Sequence, residues 1–322
     1  MGSRGYLLRK VLGAALTLAF VLFFNFVLFR GIGDPVKLLT RSSLHLDPQE
    51  QAALREEFGL DKGLVPQFLD YVGDTLSGNL GTSFISGRPV SAVVAERIPN
   101  TILLVGLSTL LSTILGLLIG IRGAWHHGSR FDRNSLLGSL VLYSMPEGWL
   151  GMMLLVAFAG SLGWFPSGGY QSTAGLTGFS HITDVLTHLF LPCLTLTLGY
   201  IGEYAIVMRS SLIEVLGEDF IQTARAKGLR DDSVRRSHAV PNALLPTLTL
   251  VFYSFGFVLG GAIIVEEVFS WPGLGQLEFQ AINSFDYPVI QAVFLISSAA
   301  VIVFNLVADI LYGYLDPRIR VS

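Results

Sequence analysis

The side chains that most often do chemistry in proteins are sparse in this chain and lack the necessary spacings. None of the four lysines follows a glycine, so no loop ending in Gly-Lys-Ser/Thr is present to cradle the phosphates of ATP. No histidine precedes a glutamate and no Gly-x-Ser-x-Gly elbow occurs, which excludes two common hydrolase patterns. The single cysteine, Cys193, cannot form an intrachain disulfide. We predict a non-catalytic chain with no cofactor or metal of its own.

Ionisable residues within apolar stretches are functional candidates by default, because a charge at membrane depth is costly. The chain has four of them: Glu147, Glu203, Arg209 and Asp309. These residues are scattered over three predicted spans, whereas a proton-coupled carrier would have a dense relay of acidic residues. Their distribution therefore favours roles in helix–helix hydrogen bonding or in the polarity of a cavity. A secondary carrier driven by an ion gradient stays open as an alternative. The adjacent His126 and His127 point apart on a helix and predict a solvated pair, not a metal site.

The most specific pattern lies in the loop 209–246, where a short helix is predicted to begin at Asp219 and to end at Gly228. Acidic residues at its start and basic residues near its end suit the helix dipole. Phe220, Ala224 and Gly228 share one stripe at helical spacing, whose small residues would suit docking into a protein groove. We also expect Asp231 to cap a following short helix. The candidate docking residues are Asp219, Phe220, Gln222, Thr223, Ala224, Arg225, Lys227, Gly228 and Leu229.

Composition indicates that membrane helices position these residues. Hydrophobic residues make up 51% of the 322 and charged residues 14%, whereas soluble domains carry about 25% charged residues. A net charge of −3 gives no basis for binding nucleic acid. Apolar stretches of about 20 residues span a bilayer as helices, which predicts an all-α membrane protein with six transmembrane helices. The stretches are 11–29, 98–121, 134–163 interrupted by Glu147, 189–208, 247–265 and 288–312.

The distribution of basic residues predicts that both termini are cytoplasmic. Arginines and lysines concentrate in the segments that would then face the cytoplasm, and the outside loops 164–188 and 266–287 contain none. We expect 164–188 to be an irregular connector. The predicted domains are 1–30, the cytoplasmic N-terminus and first transmembrane helix; 31–97, an extracytoplasmic insert; and 98–322, a five-helix core containing the loop 209–246.

Two short helices are predicted in the insert. The first has Asp47 as its N-cap and Gly59 as its stop. The second runs from Pro66 to about Leu76, ends in the Gly-Asn-Leu-Gly turn at 78–81, and carries on one face Phe68, Leu69 and Val72. The insert is either a lid packed on the span ends or a surface that helps to receive a delivered substrate or a docking protein. Within the spans, Gly116-x-x-x-Gly120 and Gly256-x-x-x-Gly260 predict close helix packing.

The loop resembles the cytoplasmic signature of inner-membrane permeases of ATP-binding-cassette importers. That signature is Glu-Ala-Ala, three residues, Gly, then a hydrophobic run to Pro. Here Gln222-Thr223-Ala224 precedes Gly228 and Pro246, so the first two positions differ, although residues 219–229 together are similar to the oligopeptide/dipeptide (peptide/nickel) branch. Further matching segments are Gly33-Asp34-Pro35, Pro99-Asn100-Thr101, Glu266 to Gly275, Asp286-Tyr287-Pro288, Asn305-x-x-x-Asp309-x-x-Tyr312 and Leu315 to Arg320.

The resemblance implies the type I importer permease fold in the bacterial plasma (inner) membrane. It implies the first, B-type, oligopeptide permease, which forms a heterodimer with a second homologous permease. The other implied partners are an extracytoplasmic peptide-binding protein and two cytoplasmic ATPase subunits or domains, which bind ATP and Mg²⁺. The helix 219–228 would be the coupling helix, seated in a groove of the ATPase. Similar permeases carry nickel, haem or glutathione, so these cargoes stay open beside peptides.

Overall fold

The computed structural model describes residues 3–32, 49, 61–172, 175, 177–258 and 262–315. Every regular element in these ranges is a helix, and one isolated β-bridge joins Thr82 to Pro89. The expectation of an all-α protein is therefore confirmed for this part of the chain. The first predicted helix of the insert, capped by Asp47 and stopped by Gly59, lies outside the described residues.

π-helical turns extend two of the described helices. In chain order the helices are α1 (Ser3–Ile32), α2 (Leu64–Leu76), α3 (Val90–Trp125), α4 (Arg130–Ser144), α5 (Glu147–Leu154), α6 (Gly178–Leu216), α7 (Asp219–Ala226), α8 (Asp231–Val234), α9 (Val240–Val258), α10 (Ile263–Val268), α11 (Leu274–Ser284) and α12 (Tyr287–Leu315). Residues Leu155–Ser161 continue α5 as a π-helix, and Arg235–Ala239 form a second π-helix between α8 and α9.

Four described helices are long and apolar enough to cross a bilayer, and a bent pair raises the number to five. The four are Leu8–Arg30, Val90–Trp125, Gly178–Leu216 and Tyr287–Ile310, which cover the first, second, fourth and sixth predicted spans. The bent pair consists of α4 and of α5 with its π-helical turn, and it covers the third. The fifth predicted span begins in α9 and continues through 259–261, which are not described.

The third predicted span is broken, with a bend of 99° between α4 and α5. Met145 is extended, with ψ of 130°, because a proline disfavours the helical conformation of the residue before it. Pro146 is then the N-cap residue of α5, and Glu147 occupies the first helical position, where the helix dipole favours an acidic residue. The break therefore comes from Pro146, and not from the charge of Glu147.

The stretch 164–188 is only partly the irregular connector that we expected, because α6 begins at Gly178. Phe179, Ile182 and Leu186 recur at helical spacing, which is the signal that the prediction missed. All three are exposed, at 80%, 55% and 53%. The helix therefore begins well before the apolar stretch that predicted the fourth span.

The described residues form two compact bodies, one within 1–101, 259–263 and 272–322, and one within 102–258 and 264–271. In the first body, α1 packs along α12. Asn25 of α1 is fully buried and donates hydrogen bonds from Nδ2 to the Tyr71 hydroxyl, at 3.0 Å, and to the Gln291 carbonyl oxygen, at 3.2 Å. The core of this body consists of Val90, Val94, Leu274, Leu277, Ala281, Val289, Ala292 and Val293.

Helix α2 confirms the second predicted helix of the insert, but its buried face differs from the predicted one. The Phe68 ring meets the rings of Phe23 and Phe26 edge to face, with centroids 5.8 and 5.3 Å apart. Leu69, which we placed on the same face, is 62% exposed. The predicted terminating turn is present, and Gly78 adopts φ of +81° in it. Helix α2 therefore packs on α1 through an aromatic stripe, with Leu69 turned away.

In the second body, Gly116 and Gly120 bring α3 against the backbone of α6. A Cβ atom on Gly116 would lie 2.6 Å from the Cβ of Tyr204, and one on Gly120 would lie 2.7 Å from the carbonyl oxygen of Ala205. Neither separation is compatible with a side chain, so the close packing predicted for this pair is confirmed. The second predicted pair, Gly256-x-x-x-Gly260, lies outside the described side chains.

Candidate functional site

Helix α7 is stabilised at both ends by charges that complement its dipole. Asp219 occupies its first turn and Arg225 its last. Within the helix, the Thr223 hydroxyl donates to the carbonyl oxygen of Asp219, at 2.9 Å. Glu218 precedes the helix in an extended conformation and makes no side-chain capping bond. The helix therefore depends on its dipole charges and on tertiary packing for stability, since eight residues are too few for an isolated helix.

The C-terminus of α7 is a Schellman motif that requires a glycine. Gly228 adopts φ of +77°, a conformation that costs other residues about 1–2 kcal/mol. Its N–H donates to the carbonyl oxygen of Arg225, at 2.9 Å, and the N–H of Leu229 donates to that of Ala224, at 3.3 Å. The prediction that Gly228 ends the helix is confirmed.

The capping role predicted for Asp231 is wrong. The N-cap residue of α8 is Arg230, and Asp231 occupies the first helical position. No side-chain capping bond forms at this end, and the Asp231 carboxylate lies 3.9 Å from the Nε of Arg225. Asp231 therefore complements the dipole of α8 and faces the preceding helix, instead of capping a backbone N–H.

One face of α7 is anchored in the core of its own chain. Ile221 is fully buried and Ala224 is 4% exposed, whereas Phe220 is 41% exposed. The predicted stripe of Phe220, Ala224 and Gly228 is therefore not a single free surface. The anchoring pair, Ile221 and Ala224, could have been found from its i, i+3 apolar spacing. The core around it consists of Ala124, Met208, Leu212, Ile221, Ala224, Val234, Ala239 and Ala243.

The remaining candidate residues are exposed on the opposite side of this anchor, and we call them the α7 surface. Phe220 and Leu229 supply its apolar part, at 41% and 40% exposed. The other members are Asp219, Gln222, Thr223, Arg225, Lys227 and Gly228. The structure thus leaves all the predicted docking residues except Ala224 exposed, on α7 and on the turn that follows it.

A charged cluster that the sequence analysis missed lies at the end of α6. The Asp132 carboxylate accepts hydrogen bonds from Nε and Nη2 of Arg209, at 2.5 and 2.9 Å. Its Oδ2 also accepts from the N–H of Gly128, at 2.9 Å, and lies 3.1 Å from Nδ1 of His127. The His127 side chain is 61% exposed, so it is solvated as expected, and its ring also contacts this carboxylate. One signal was visible in the sequence: Asp132 is an isolated acid between Arg130 and Arg133.

Contacts between helices account for two more of the four ionisable residues at membrane depth. The Asp309 carboxylate on α12 lies 2.9 Å from the Lys10 ammonium on α1. Glu147 on α5 interacts with Tyr200 on α6. Glu203 on α6 is half-buried. Among the described residues, no group of three or more His, Cys, Asp or Glu side chains is arranged to hold a metal ion.

Segments that are far apart in the sequence meet in the first body. The Asn100 amide donates to the carbonyl oxygen of Pro272, at 2.8 Å, and the N–H of Leu274 donates to the Thr101 hydroxyl, at 2.7 Å. These bonds join the Pro-Asn-Thr segment, which lies inside α3, to the Pro-Gly-Leu segment at the start of α11. The sequence contains both segments, but only the fold shows that they are partners.

These features define a helical protein of several membrane spans that displays one short, anchored helix on a loop. Residues 112–321 match the family described as binding-protein-dependent transport system inner membrane component. Residues 4–105 match the N-terminal family of the same membrane components. The chain therefore belongs to this family of multi-pass proteins of the bacterial inner membrane, and the resemblance to importer permeases is confirmed.

Relatives of similar length cover nearly the whole chain. The oligopeptide transport system permease protein AppB of Bacillus subtilis is 36% identical over 321 residues, 98% of this chain and 99% of that protein. A putative peptide permease protein of Brucella suis is 37% identical over 315 residues, 98% of both chains. The glutathione transport system permease protein GsiC of Salmonella typhi is 38% identical over 316 residues, 98% of both.

Proposed function

We propose that this chain is a non-catalytic permease subunit of an ATP-driven importer and forms half of a translocation pathway for peptides. Its spans would enclose the pathway together with a second homologous permease. The α7 surface would lie against a cytoplasmic ATPase subunit, which supplies the ATP and Mg²⁺ chemistry that this chain lacks. An extracytoplasmic binding protein would deliver the cargo.

The observation that carries this proposal is the arrangement of α7. A short helix that faces solvent on one side would ordinarily be free to shift, but Ile221 and Ala224 tie this one to the core that includes Met208 and Leu212 of α6. A force applied to the α7 surface would therefore be transmitted directly to α6, a membrane-spanning helix. A helix–helix shift of this kind is a common form of conformational switching.

The proposal also includes six spans with both termini in the cytoplasm. The basic residues of the loop between α6 and α9, among them Arg225, Lys227 and Arg230, support this orientation through the excess of positive charge in cytoplasmic loops. Five of these spans are the helices and the bent pair described above, and α9, with the residues that follow it, would supply the remaining one. The predicted domains 1–30, 31–97 and 98–322 follow from this topology.

Peptides are the cargo class that the relatives favour. Two of the relatives above are named as oligopeptide or peptide permeases, and the third is named for glutathione, which is itself a modified tripeptide. A pathway shared with a second permease suits such flexible, polar molecules better than a single ion site.

The substitution Gly228→Asp tests the coupling role of α7. The Schellman motif needs the left-handed conformation of Gly228, so a side chain there strains the end of α7. We expect normal membrane insertion and loss of ATP-dependent peptide uptake. Insertion is measured by the amount of chain in the membrane fraction, and uptake in vesicles with a labelled peptide.

Gly78→Asp is the matched control, because Gly78 has nearly the same φ, +81°, and equally open surroundings at the end of α2. It imposes the same backbone strain far from α7 in sequence, and we expect uptake to persist. Normal uptake by the Gly228→Asp variant, or equal loss in both variants, would count against the proposed function.

A further inference from the structure

The pair Asp132–Arg209 joins the helix that leads into α7 to the start of α4. The Asp132 side chain is 4% exposed and that of Arg209 is 17% exposed, so the contact is largely removed from water. Two guanidinium nitrogens meet the two carboxylate oxygens in a fork, at 2.5 and 2.9 Å. This bidentate geometry fixes orientation as well as distance, which a single ion pair does not do.

Arg209 is placed for this contact by the close packing of α3 on α6. A Cβ atom on Gly120 would lie 3.1 Å from the backbone nitrogen of Arg209, and one on Gly123 would lie 3.4 Å from Oδ1 of Asp132. The two glycines therefore leave room for the arginine to pass beside α3 and reach α4. On the other side of the contact, Ser129 caps α4 by accepting the N–H of Asp132, at 3.1 Å.

The same stretch of α6 also contacts the anchor of α7. Met208 precedes Arg209, and Leu212 follows it by about one turn. Both side chains are fully buried in the core that holds Ile221 and Ala224. A displacement of α7 therefore reaches α6 at the level of Arg209, and the fork connects that level to α4.

We propose that Asp132 and Arg209 are positioning residues that make the α3–α4 corner move together with α6 when α7 is displaced. This inference rests on the proposed function, since it assumes that α7 receives force from an ATPase. Without the fork, the C-terminal part of α6 could slide past the turn between α3 and α4. The displacement of α7 would then not reach α4. A largely buried ion pair is weak evidence for stability alone, because apolar side chains of similar volume often serve as well.

The test is Asp132→Asn in the complete transporter, reconstituted in vesicles with its ATPases, second permease and binding protein. The amide keeps the shape of the carboxylate but removes the charge and one acceptor of the fork. We expect the transporter to assemble and to hydrolyse ATP at the normal rate. Peptide uptake per ATP should fall by about tenfold, within the usual range of coupling between sites. Both rates are measured on the same vesicles.

Arg209→Lys is the second variant, because it keeps the charge but loses the fork. We expect the same fall in uptake per ATP, and this variant decides the outcome if Asp132→Asn fails to assemble. The matched control is Asp309→Asn, which breaks the 2.9 Å pair with Lys10 by the same chemical change. In this control, uptake per ATP should stay normal.

Several results would overturn the inference. Unchanged uptake per ATP in both variants would show that the fork transmits nothing. A proportional fall in uptake and hydrolysis, or failure of both variants to assemble, would show a role in folding alone. The unaltered transporter separates this from the proposed function: if it shows no ATP-dependent uptake, the proposed function fails whatever the variants do.

Discussion

The buried carboxylate of Asp286 holds the loop before α3 in place. Asp286 is 3% exposed and accepts hydrogen bonds from the Ser83 hydroxyl, at 2.5 Å, and from the N–H groups of Phe84 and Ile85, at 3.0 and 3.4 Å. Three donors converge on one charged group, so its removal leaves several of them without an acceptor. Hydrogen bonds to a charged acceptor are also stronger than neutral ones.

We predict that Asp286→Asn destabilises the first body by about 1–3 kcal/mol, because the amide nitrogen cannot accept a hydrogen bond. The measurement is the thermal unfolding of the purified protein in detergent, together with proteolysis in the loop 79–89. Asp70→Asn is the control, since it breaks only an exposed pair with Lys62 and should be nearly neutral. Equal unfolding temperatures for Asp286→Asn and the unaltered chain would refute the prediction.

The glycines of α3 differ in whether a side chain would fit at their positions. Gly116 and Gly120 face the backbone of α6 at distances that exclude a side chain, whereas a Cβ atom on Gly106 would meet nothing within 4 Å. All three are glycines in the same apolar stretch. Their spacing predicts which of them could pack closely, but the contact itself depends on the neighbouring helix.

We expect Gly120→Ala to destabilise the second body by about 1–3 kcal/mol, the usual cost of overpacking, because the new methyl group would press on the carbonyl oxygen of Ala205. Gly106→Ala adds the same methyl group to open space and should be neutral, or stabilising by up to about 1 kcal/mol through helix propensity. Thermal unfolding of the two purified variants distinguishes these effects. A Gly120→Ala variant as stable as Gly106→Ala would contradict the packing described here.

At the scale of the whole molecule, the chain belongs to a family of importer permeases, which implies ATPase and binding-protein partners. Its described residues include four or five helices long enough to cross a membrane and the short helix α7, and its sequence contains no phosphate-binding loop. The proposed function assigns the energy supply to a partner, and the alternative is an ion gradient. The α7 surface favours the partner, because a secondary carrier has no need of a displayed, anchored helix.

We predict that the chain, purified in mild detergent, is recovered with a second permease and with ATPase subunits. Peptide uptake by the reconstituted assembly should require ATP and the binding protein, and an ionophore that collapses ion gradients should leave it unchanged. Uptake that continues without ATP and stops with the ionophore would instead identify a secondary carrier. Recovery of the chain alone at full yield would contradict the predicted assembly.

Local chemistry determined much of this protein without any tertiary information. The apolar stretches predicted the four helices that are long enough to cross a membrane, and the bent pair, because a bilayer imposes its length on any helix that crosses it. Gly228 predicted the end of α7 because few other residues adopt its backbone conformation. The signature around residues 219–229, together with the other matching segments, indicated the family to which the chain belongs.

Tertiary structure alone decided which residues meet. The burial of Ala224, the exposure of Leu69 and the fork between Asp132 and Arg209 all depend on where a second helix lies. The bend at Pro146 belongs to both groups. The proline is visible in the sequence, but the bend angle of 99° depends on how the two helices pack. The sequence pattern of one helix shows which of its faces is apolar, but not which residues will pack against it. Those residues can be far away in the sequence: Arg209 contacts Asp132, 77 residues before it.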